Sequence, residues 1–112
     1  MREPPDALFA ALADPTRRSI LRAVAEDGPV TATGLSERLP ISRQAVAKHL
    51  GLLRAAGLVT ADRAGRETHF VAVTEPLDEL AVWAEQAGRR WDSRLARLRR
   101  TVEGRPHASP HT

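Results

Sequence analysis

Cysteine and tyrosine are both absent from the 112-residue sequence. The lack of cysteine excludes disulfides, thiolate metal sites and cysteine nucleophiles. No apolar run approaches the roughly 18 residues that a membrane span needs, and the first residues lack the apolar stretch of a signal peptide. We therefore expect a cytoplasmic protein without a membrane partner.

Groups that carry catalysis are also scarce. None of the five serines has a histidine or carboxylate at a spacing that suggests a catalytic triad, and there is no glycine-rich phosphate loop. His107 and His111 lie in a proline-containing segment and make at most a weak metal site. The sequence therefore predicts no enzyme, no cofactor and no metal site.

The length and composition are those of one globular domain. A chain of 112 residues with 42% hydrophobic and 28% charged residues has room for one modest core. We expect a frayed N-terminus at residues 1–5, the domain at 6–103 and a disordered tail at 104–112.

The net charge of +3 is unevenly placed. Residues 38–69 carry six basic and two acidic side chains, whereas residues 1–37 carry four basic and six acidic ones, and residues 75–103 carry six of each. A basic segment between neutral or acidic flanks indicates local contact with phosphates. A solvated arginine-rich face is the alternative interpretation.

Capping residues divide the first half of the chain into four short helices. Asp6 precedes the first, Asp14-Pro15 begins the second, and Thr31 and Ser42 begin the third and fourth. In the fourth helix the large apolar residues recur at three and four positions, which predicts one buried face. These residues are Val46, Leu50 and Leu53.

A β-hairpin is expected directly after the fourth helix, which ends at Gly57. Strands at residues 59–64 and 67–73 flank a turn at Gly65, with basic residues on both sides. Two helices joined by a short turn and followed by a basic hairpin describe a winged helix-turn-helix. The predicted fold class is mainly α, with about five helices and a two-stranded β-wing.

The last predicted helix, at about residues 75–103, has an unbroken heptad seam. A helix of this length should extend beyond a small domain and bury its seam against a partner. The alternative is that the seam packs on the core of its own domain. Trp83 lies off the seam, and we expect it to face that core or to line a small-molecule pocket. The seam consists of Leu77, Ala81, Ala84, Gly88, Trp91, Leu95, Leu98 and Val102.

Charges are also ordered along this last helix. Acidic residues dominate its first half and arginines its second half. This order suits the helix dipole, and it would let two copies of the helix pair antiparallel with opposite charges matched.

The exposed face of the fourth helix carries side chains that suit DNA. An α-helix fits the major groove, where Arg43 can bind guanine and Gln44 can bind adenine through paired hydrogen bonds. Ser42 and the helix N-terminus can hold a phosphate. The alternative for this helix face is an ordinary solvated surface, and for His49 it is packing on the domain surface. His69 lies on a predicted strand, where we expect a structural role. The other candidate DNA-contacting residues are Lys48, His49, Arg54, Arg63 and Arg66.

Two motifs resemble a known family. The segment AALADPTRRSIL at residues 10–21 is similar to the opening of ArsR-type winged-helix regulators, and ISRQAVAKHL at residues 41–50 resembles their recognition helix. The resemblance spans about residues 7–100. It implies a homodimeric DNA-binding repressor whose first and last helices form the dimer interface. The interface residues expected on this basis are Leu8, Leu12, Leu77, Ala84, Gly88, Trp91, Leu95 and Leu98.

The sequence departs from the metal-sensing members of that family. Residues 31–39 contain no cysteine or histidine, and residues 75–103 contain no histidine. The chain therefore resembles the branch that does not sense metals, in which paired tryptophans in the last helix are familiar. Two alternatives stay open: a protein-interaction module that uses this scaffold without DNA, and a repressor released by an unknown protein or small apolar effector near Trp83.

Overall fold

Five helices and one β-hairpin follow each other along residues 3–103, the part of the chain that the computed structural model describes. This architecture confirms the predicted mainly α fold class with a two-stranded wing. The expected tail at 104–112, with His107 and His111, and the first two residues of the expected frayed N-terminus lie outside the described residues. The elements are α1 (Asp6–Ala13), α2 (Pro15–Asp27), α3 (Ala32–Ser36), α4 (Arg43–Ala55), β1 (Val59–Ala64), β2 (Glu67–Ala72) and α5 (Glu75–Glu103).

Helices α2, α3 and α4 begin where the sequence predicts. In each case a side-chain oxygen of the capping residue accepts a backbone N–H that has no partner within the helix. The bonds join Asp14 to Thr16 at 2.9 Å, Thr31 to Gly34 at 3.0 Å and Ser42 to Ala45 at 3.1 Å.

Helix α1 begins differently from the prediction. Asp6 is its first helical residue, and Pro5 stands at the capping position without a side-chain hydrogen bond. The carbonyl of Pro5 instead accepts the N–H of Leu8 at 3.0 Å. Asp6 still favours the helix from within, since a carboxylate in the first turn interacts well with the helix dipole.

Arginines from α2 close the C-terminal end of α1. Arg17 donates from Nε to the carbonyl of Ala11 and from Nη2 to that of Ala10, both at 3.0 Å. Arg18 donates from Nη1 to the carbonyl of Leu12 at 2.6 Å. These carbonyls have no partners within the helix, so the two arginines fix α1 against the start of α2.

The hydrophobic core lies where α1, α2, α3, α4 and the start of β1 meet. Its residues come from the faces that helical periodicity predicts, with Val46, Leu50 and Leu53 of α4 all fully buried. Gly57, with φ of +79°, then turns the chain from α4 into the wing. The core consists of Leu8, Ala11, Ile20, Leu21, Val24, Leu35, Val46, Leu50, Leu53, Leu58 and Val59.

The wing is an antiparallel pair whose register runs from Val59 opposite Ala72 to Ala64 opposite Glu67. Val30 joins its edge, because Val30 and Phe70 exchange two backbone hydrogen bonds of 3.1 and 2.8 Å. The wing is therefore attached to the segment that enters α3, and its position relative to the helices is fixed from two sides.

Helix α5 packs on the domain only through its first turns. Leu77 and Leu80 are half-buried against the core. Trp83 is half-buried and meets Phe9 of α1 edge to face, with ring centroids 5.4 Å apart. The rest of the 29-residue helix extends away, and the molecule reaches 74 Å in its longest dimension. No helix in residues 3–103 combines the length and apolarity needed to cross a membrane.

Candidate nucleic-acid interface

One face of the first two turns of helix α4 is exposed to solvent. Arg43, Gln44 and Lys48 are all exposed, whereas the opposite face of the helix is buried in the core. Ser42 is exposed too, and its Oγ accepts the N–H of Ala45. The Ser42 hydroxyl proton remains available to a ligand, since a hydroxyl both accepts and donates.

The wing adds two arginines beside this helix. Arg63 and Arg66 are exposed on either side of Gly65, which has φ of +65°. Arg63 donates from Nε to the carbonyl of Gly65 at 3.3 Å, so its guanidinium lies over the turn. A hydrogen bond of this kind restricts where the positive charge sits at the tip of the wing.

A cleft of about 510 Å³ lies between α4, the wing and the chain entering α3. Arg43 and Arg54 line it from α4, and Arg63 and Arg66 line it from the wing. Four guanidinium groups on one concave surface create a positive potential that attracts an anion. The sequence predicts all four as DNA-contacting residues, and the structure brings them to this one cleft.

Five basic side chains of this region have no acidic partner among the described residues. Arg38 does have one, since its Nη2 lies 2.8 Å from Oδ2 of Asp27. Asp27 therefore neutralises the positive charge of Arg38. No ion pair among the side chains of residues 3–101 involves the remaining five, which are Arg43, Lys48, Arg54, Arg63 and Arg66.

His49 lies on a different side of α4 from the other candidates. Its side chain is 19% exposed and its Nδ1 lies 3.8 Å from Oδ2 of Asp14. That nitrogen is buried and has no hydrogen-bond partner among the described residues. The ring therefore faces the start of α2, away from the exposed row that contains Gln44 and Lys48.

His69 lies on β2, where its Nε2 is 3.2 Å from Oε2 of Glu67. Among the side chains of residues 3–101, no three from histidine, aspartate or glutamate come together as a group that could hold a metal ion.

The residues expected at a dimer interface divide into two groups. Leu8 is 3% exposed in the core of its own domain, and Leu12 and Leu77 are half-buried against that core. The members on the extended part of α5 are exposed: Ala84, Gly88, Trp91, Leu95 and Leu98. Trp91 and Leu98 are 60% and 61% exposed, so this part of the seam forms an apolar stripe that no other element of the described residues covers.

The cleft residues that sequence reasoning missed include two small ones on α4. Ala47 and Gly51 line it from α4, between Arg43 and Arg54. The four positions are spaced by four, four and three residues, which places them on one side of a helix. That spacing was visible in the sequence, but only the position of the wing shows that this side borders a cleft.

Comparison with known proteins agrees with this architecture. The chain matches the helix-turn-helix domain family over residues 12–61. It is 44% identical over 81 residues to the uncharacterized HTH-type transcriptional regulator YuzN of Bacillus subtilis, covering 67% of this chain and 88% of that protein. The transcriptional repressor SdpR of the same organism is 32% identical over 76 residues, covering 68% of this chain and 83% of that protein.

A solved structure extends the likeness to the whole fold. An ArsR-like transcriptional regulator from Rhodococcus sp. RHA1 superposes with a TM-score of 0.77 and 41% identity, covering 89% of this chain and 93% of that one. The resemblance carried by the two sequence motifs is thereby confirmed. The chain belongs to the ArsR family of winged helix-turn-helix transcriptional regulators.

Proposed function

We propose that this protein is a sequence-specific DNA-binding regulator that inserts α4 into the major groove. The observation that carries the proposal is the set of five basic side chains on α4 and the wing without acidic partners among the described residues. Neutralising phosphates is what such groups do at a DNA surface, and it supplies much of the affinity.

The contacts divide by position along α4 and the wing. Arg43 and Gln44 stand in the first turn and point at base edges, since the first turns of a recognition helix enter the groove. The hydroxyl of Ser42 donates to a phosphate. Lys48, one turn later, reaches bases or the backbone. Arg54, Arg63 and Arg66 contact phosphates from the cleft and the wing tip.

His49 has a positioning role in this proposal. Its ring faces Asp14 at the start of α2 and is mostly covered. A side chain in that place holds α4 at its angle to the domain and does not reach the groove. His49 is therefore not one of the base-reading residues in this proposal.

The proposed active form is a dimer through α5. The exposed apolar stripe from Ala84 to Leu98 extends beyond the core of the protomer. A second copy running antiparallel covers this stripe and sets the acidic first half of each helix beside the basic second half of the other. Two-fold symmetry then places the two α4 helices on half-sites about 34–36 Å apart, one turn of DNA, or somewhat more.

Repression is the proposed outcome of binding. A dimer across about two turns of DNA excludes polymerase from an overlapping promoter by its size alone. One relative, SdpR, is named a transcriptional repressor, which supports this direction of control.

Selection of bound duplexes from a random library tests the proposal. We expect enrichment of one near-palindromic sequence. In fluorescence anisotropy at physiological salt, that sequence should bind roughly 10³-fold or more tightly than a scrambled one. Affinity for both should fall steeply with salt. Failure to bind any duplex at low salt would refute the proposal and favour a protein-interaction module.

A further inference from the structure

We infer that Ala47 of α4 reads a thymine of the target DNA, through contact between its side-chain methyl group and the C5-methyl group of the base. The inference rests on the proposed DNA-binding function and adds a third base-reading position to Arg43 and Gln44. Three observations carry it: the place of Ala47 on α4, its separation from the core, and a side chain without polar atoms between two polar neighbours.

Ala47 lies on the same exposed face of α4 as the two proposed base-reading residues. It follows Arg43 by four residues and Gln44 by three, and side chains at these spacings are neighbours on a helix, with Cβ atoms roughly 5–6 Å apart. Around the helix axis it lies about 40° from Arg43 on one side and about 60° from Gln44 on the other. A helix that brings both of these side chains to base edges therefore brings Ala47 to the base edges as well.

Ala47 takes no part in the hydrophobic core of the described residues. It belongs neither to the buried cluster nor to the half-buried residues packed against that cluster, whereas Val46 beside it and Leu50 one turn later are fully buried. Between residues 43 and 49, Ala47 is the one exposed apolar residue. Its methyl group is therefore available for a contact outside the protomer.

The chemistry of the base pairs selects thymine for this contact. In the major groove, thymine presents its C5-methyl group, whereas the other bases present hydrogen-bond donors and acceptors. An alanine placed against an amino group of adenine or cytosine, or against O6 of guanine, takes that polar group out of water without offering a partner, which is unfavourable. Against the thymine methyl group, the same alanine buries apolar surface on both sides of the contact.

The spacing along α4 limits where this thymine lies in the target. Ala47 is displaced from Arg43 by four residues, which correspond to about 6 Å of helix rise, and adjacent base pairs of DNA are about 3.4 Å apart. We therefore expect the thymine within about two base pairs of a base that Arg43 or Gln44 reads, once in each half-site.

Replacing thymine by deoxyuridine tests the inference on the unaltered protein, because deoxyuridine lacks only the C5-methyl group. Each thymine of the duplex selected from the random library is replaced in turn, and the affinity is measured by fluorescence anisotropy. We expect one thymine in each half-site at which the replacement weakens binding by about 3- to 5-fold, the loss that corresponds to one methyl group no longer buried. If every replacement leaves the affinity unchanged, the inference is overturned and the proposed function stands.

Ala47→Gly identifies the side chain that contacts this methyl group. The variant should bind the thymine duplex at least about threefold more weakly than the parent protein. It should also bind the thymine and deoxyuridine duplexes equally, because the partner of the base methyl group is gone. Alanine favours helix formation too, but a loss of helix stability would weaken binding to both duplexes alike and leave the preference for thymine intact. A preference for thymine that persists in Ala47→Gly would assign the methyl contact to another residue and overturn the inference.

Ala55→Gly is the matched control, because it makes the same change at an exposed position of the same helix. Ala55 is the last residue of α4 and lies beyond the turns proposed to enter the groove. This variant should keep the parent's preference for thymine over deoxyuridine. If the parent protein binds no duplex at all, the proposed function fails and the inference fails with it.

Discussion

The imidazole Nδ1 of His49 lies 3.8 Å from the carboxylate Oδ2 of Asp14, which links α4 to the start of α2. The same carboxylate accepts the N–H of Thr16 at 2.9 Å and lies 3.3 Å from Nη1 of Arg17. Arg17 in turn holds two carbonyls at the end of α1. Asp14 therefore stands where α1, α2 and α4 meet, and α4 carries the proposed DNA contacts.

Replacing Asp14 by alanine should destabilise the domain more than loss of a surface charge does. The change removes the N-cap of α2, an ion pair with Arg17 and the acidic neighbour of His49. Loss of a capping residue alone costs about 0.5–2 kcal/mol. We expect a loss of about 1–3 kcal/mol in the free energy of unfolding, measured by urea denaturation.

Asp27→Ala provides the control for this prediction. Asp27 pairs with Arg38 at 2.8 Å, but both side chains are about half exposed, at 48% and 50%. An exposed pair is worth about 0.2–1 kcal/mol, so the control should lose less than the Asp14 variant. Equal losses in the two variants would show that Asp14 has no special structural role.

Two glycine substitutions should change stability in opposite directions. A Cβ on Gly28 would lie 2.6 Å from a backbone oxygen, which forces the chain to shift. Overpacking of this kind costs about 1–3 kcal/mol.

A Cβ on Gly51 meets nothing within 4 Å, and alanine there should stabilise α4 by about 0.4–1 kcal/mol. Thermal unfolding of Gly28→Ala and Gly51→Ala measures both effects. A rise in melting temperature for the first, or a fall for the second, would contradict them.

Features decided by a few neighbouring residues were predictable from the sequence. Ser42 caps α4 because its oxygen needs only the N–H three residues ahead. The side of α4 that His49 faces depends instead on where α2 packs, which is a long-range relationship. Leu8 shows the same limit: helical spacing marks it as apolar, but only the packed fold shows that its own core covers it.

The candidate site was predictable residue by residue but not as a surface. Arg43 and Arg66 were identifiable from their charge and from the elements that carry them. Their meeting at one cleft depends on the docking of the wing, which the hydrogen bonds between Val30 and Phe70 help to fix. No pattern in the sequence of the wing or of α4 predicts the contact between Val30 and Phe70.

Arg43→Ala and Arg66→Ala should weaken DNA binding in different ways. Arg43 is proposed to read a base, so its loss should cost about 1–3 kcal/mol on the selected sequence and relax preference at one position per half-site. Arg66 is proposed to contact phosphate, so its loss should weaken all sequences similarly and reduce the salt slope by about one. Competition anisotropy on selected and scrambled duplexes measures both. Equal losses on both duplexes for Arg43→Ala would exclude its base-reading role.

Leu95→Glu should convert the proposed dimer into a monomer. Leu95 is 51% exposed in the protomer, so the change leaves the core of the domain intact. A charge placed against the apolar stripe of a second copy is desolvated without a partner, which is costly. We expect sedimentation equilibrium to show a dimer dissociation constant raised at least about 10-fold, which corresponds to about 1.4 kcal/mol.

Ser93→Glu is the matched control, since it adds the same charge two residues away, about 200° round the helix from Leu95. Ser93 is exposed and lies among arginines, so the added carboxylate has favourable neighbours and should leave the dimer intact.

Because each half-site is held by one α4, a monomeric Leu95→Glu should also bind the selected palindrome with much lower affinity than Ser93→Glu does. If both variants remain dimeric, the stripe on α5 is not the dimer interface. If the parent protein is monomeric at every concentration, the two-fold arrangement on DNA is wrong.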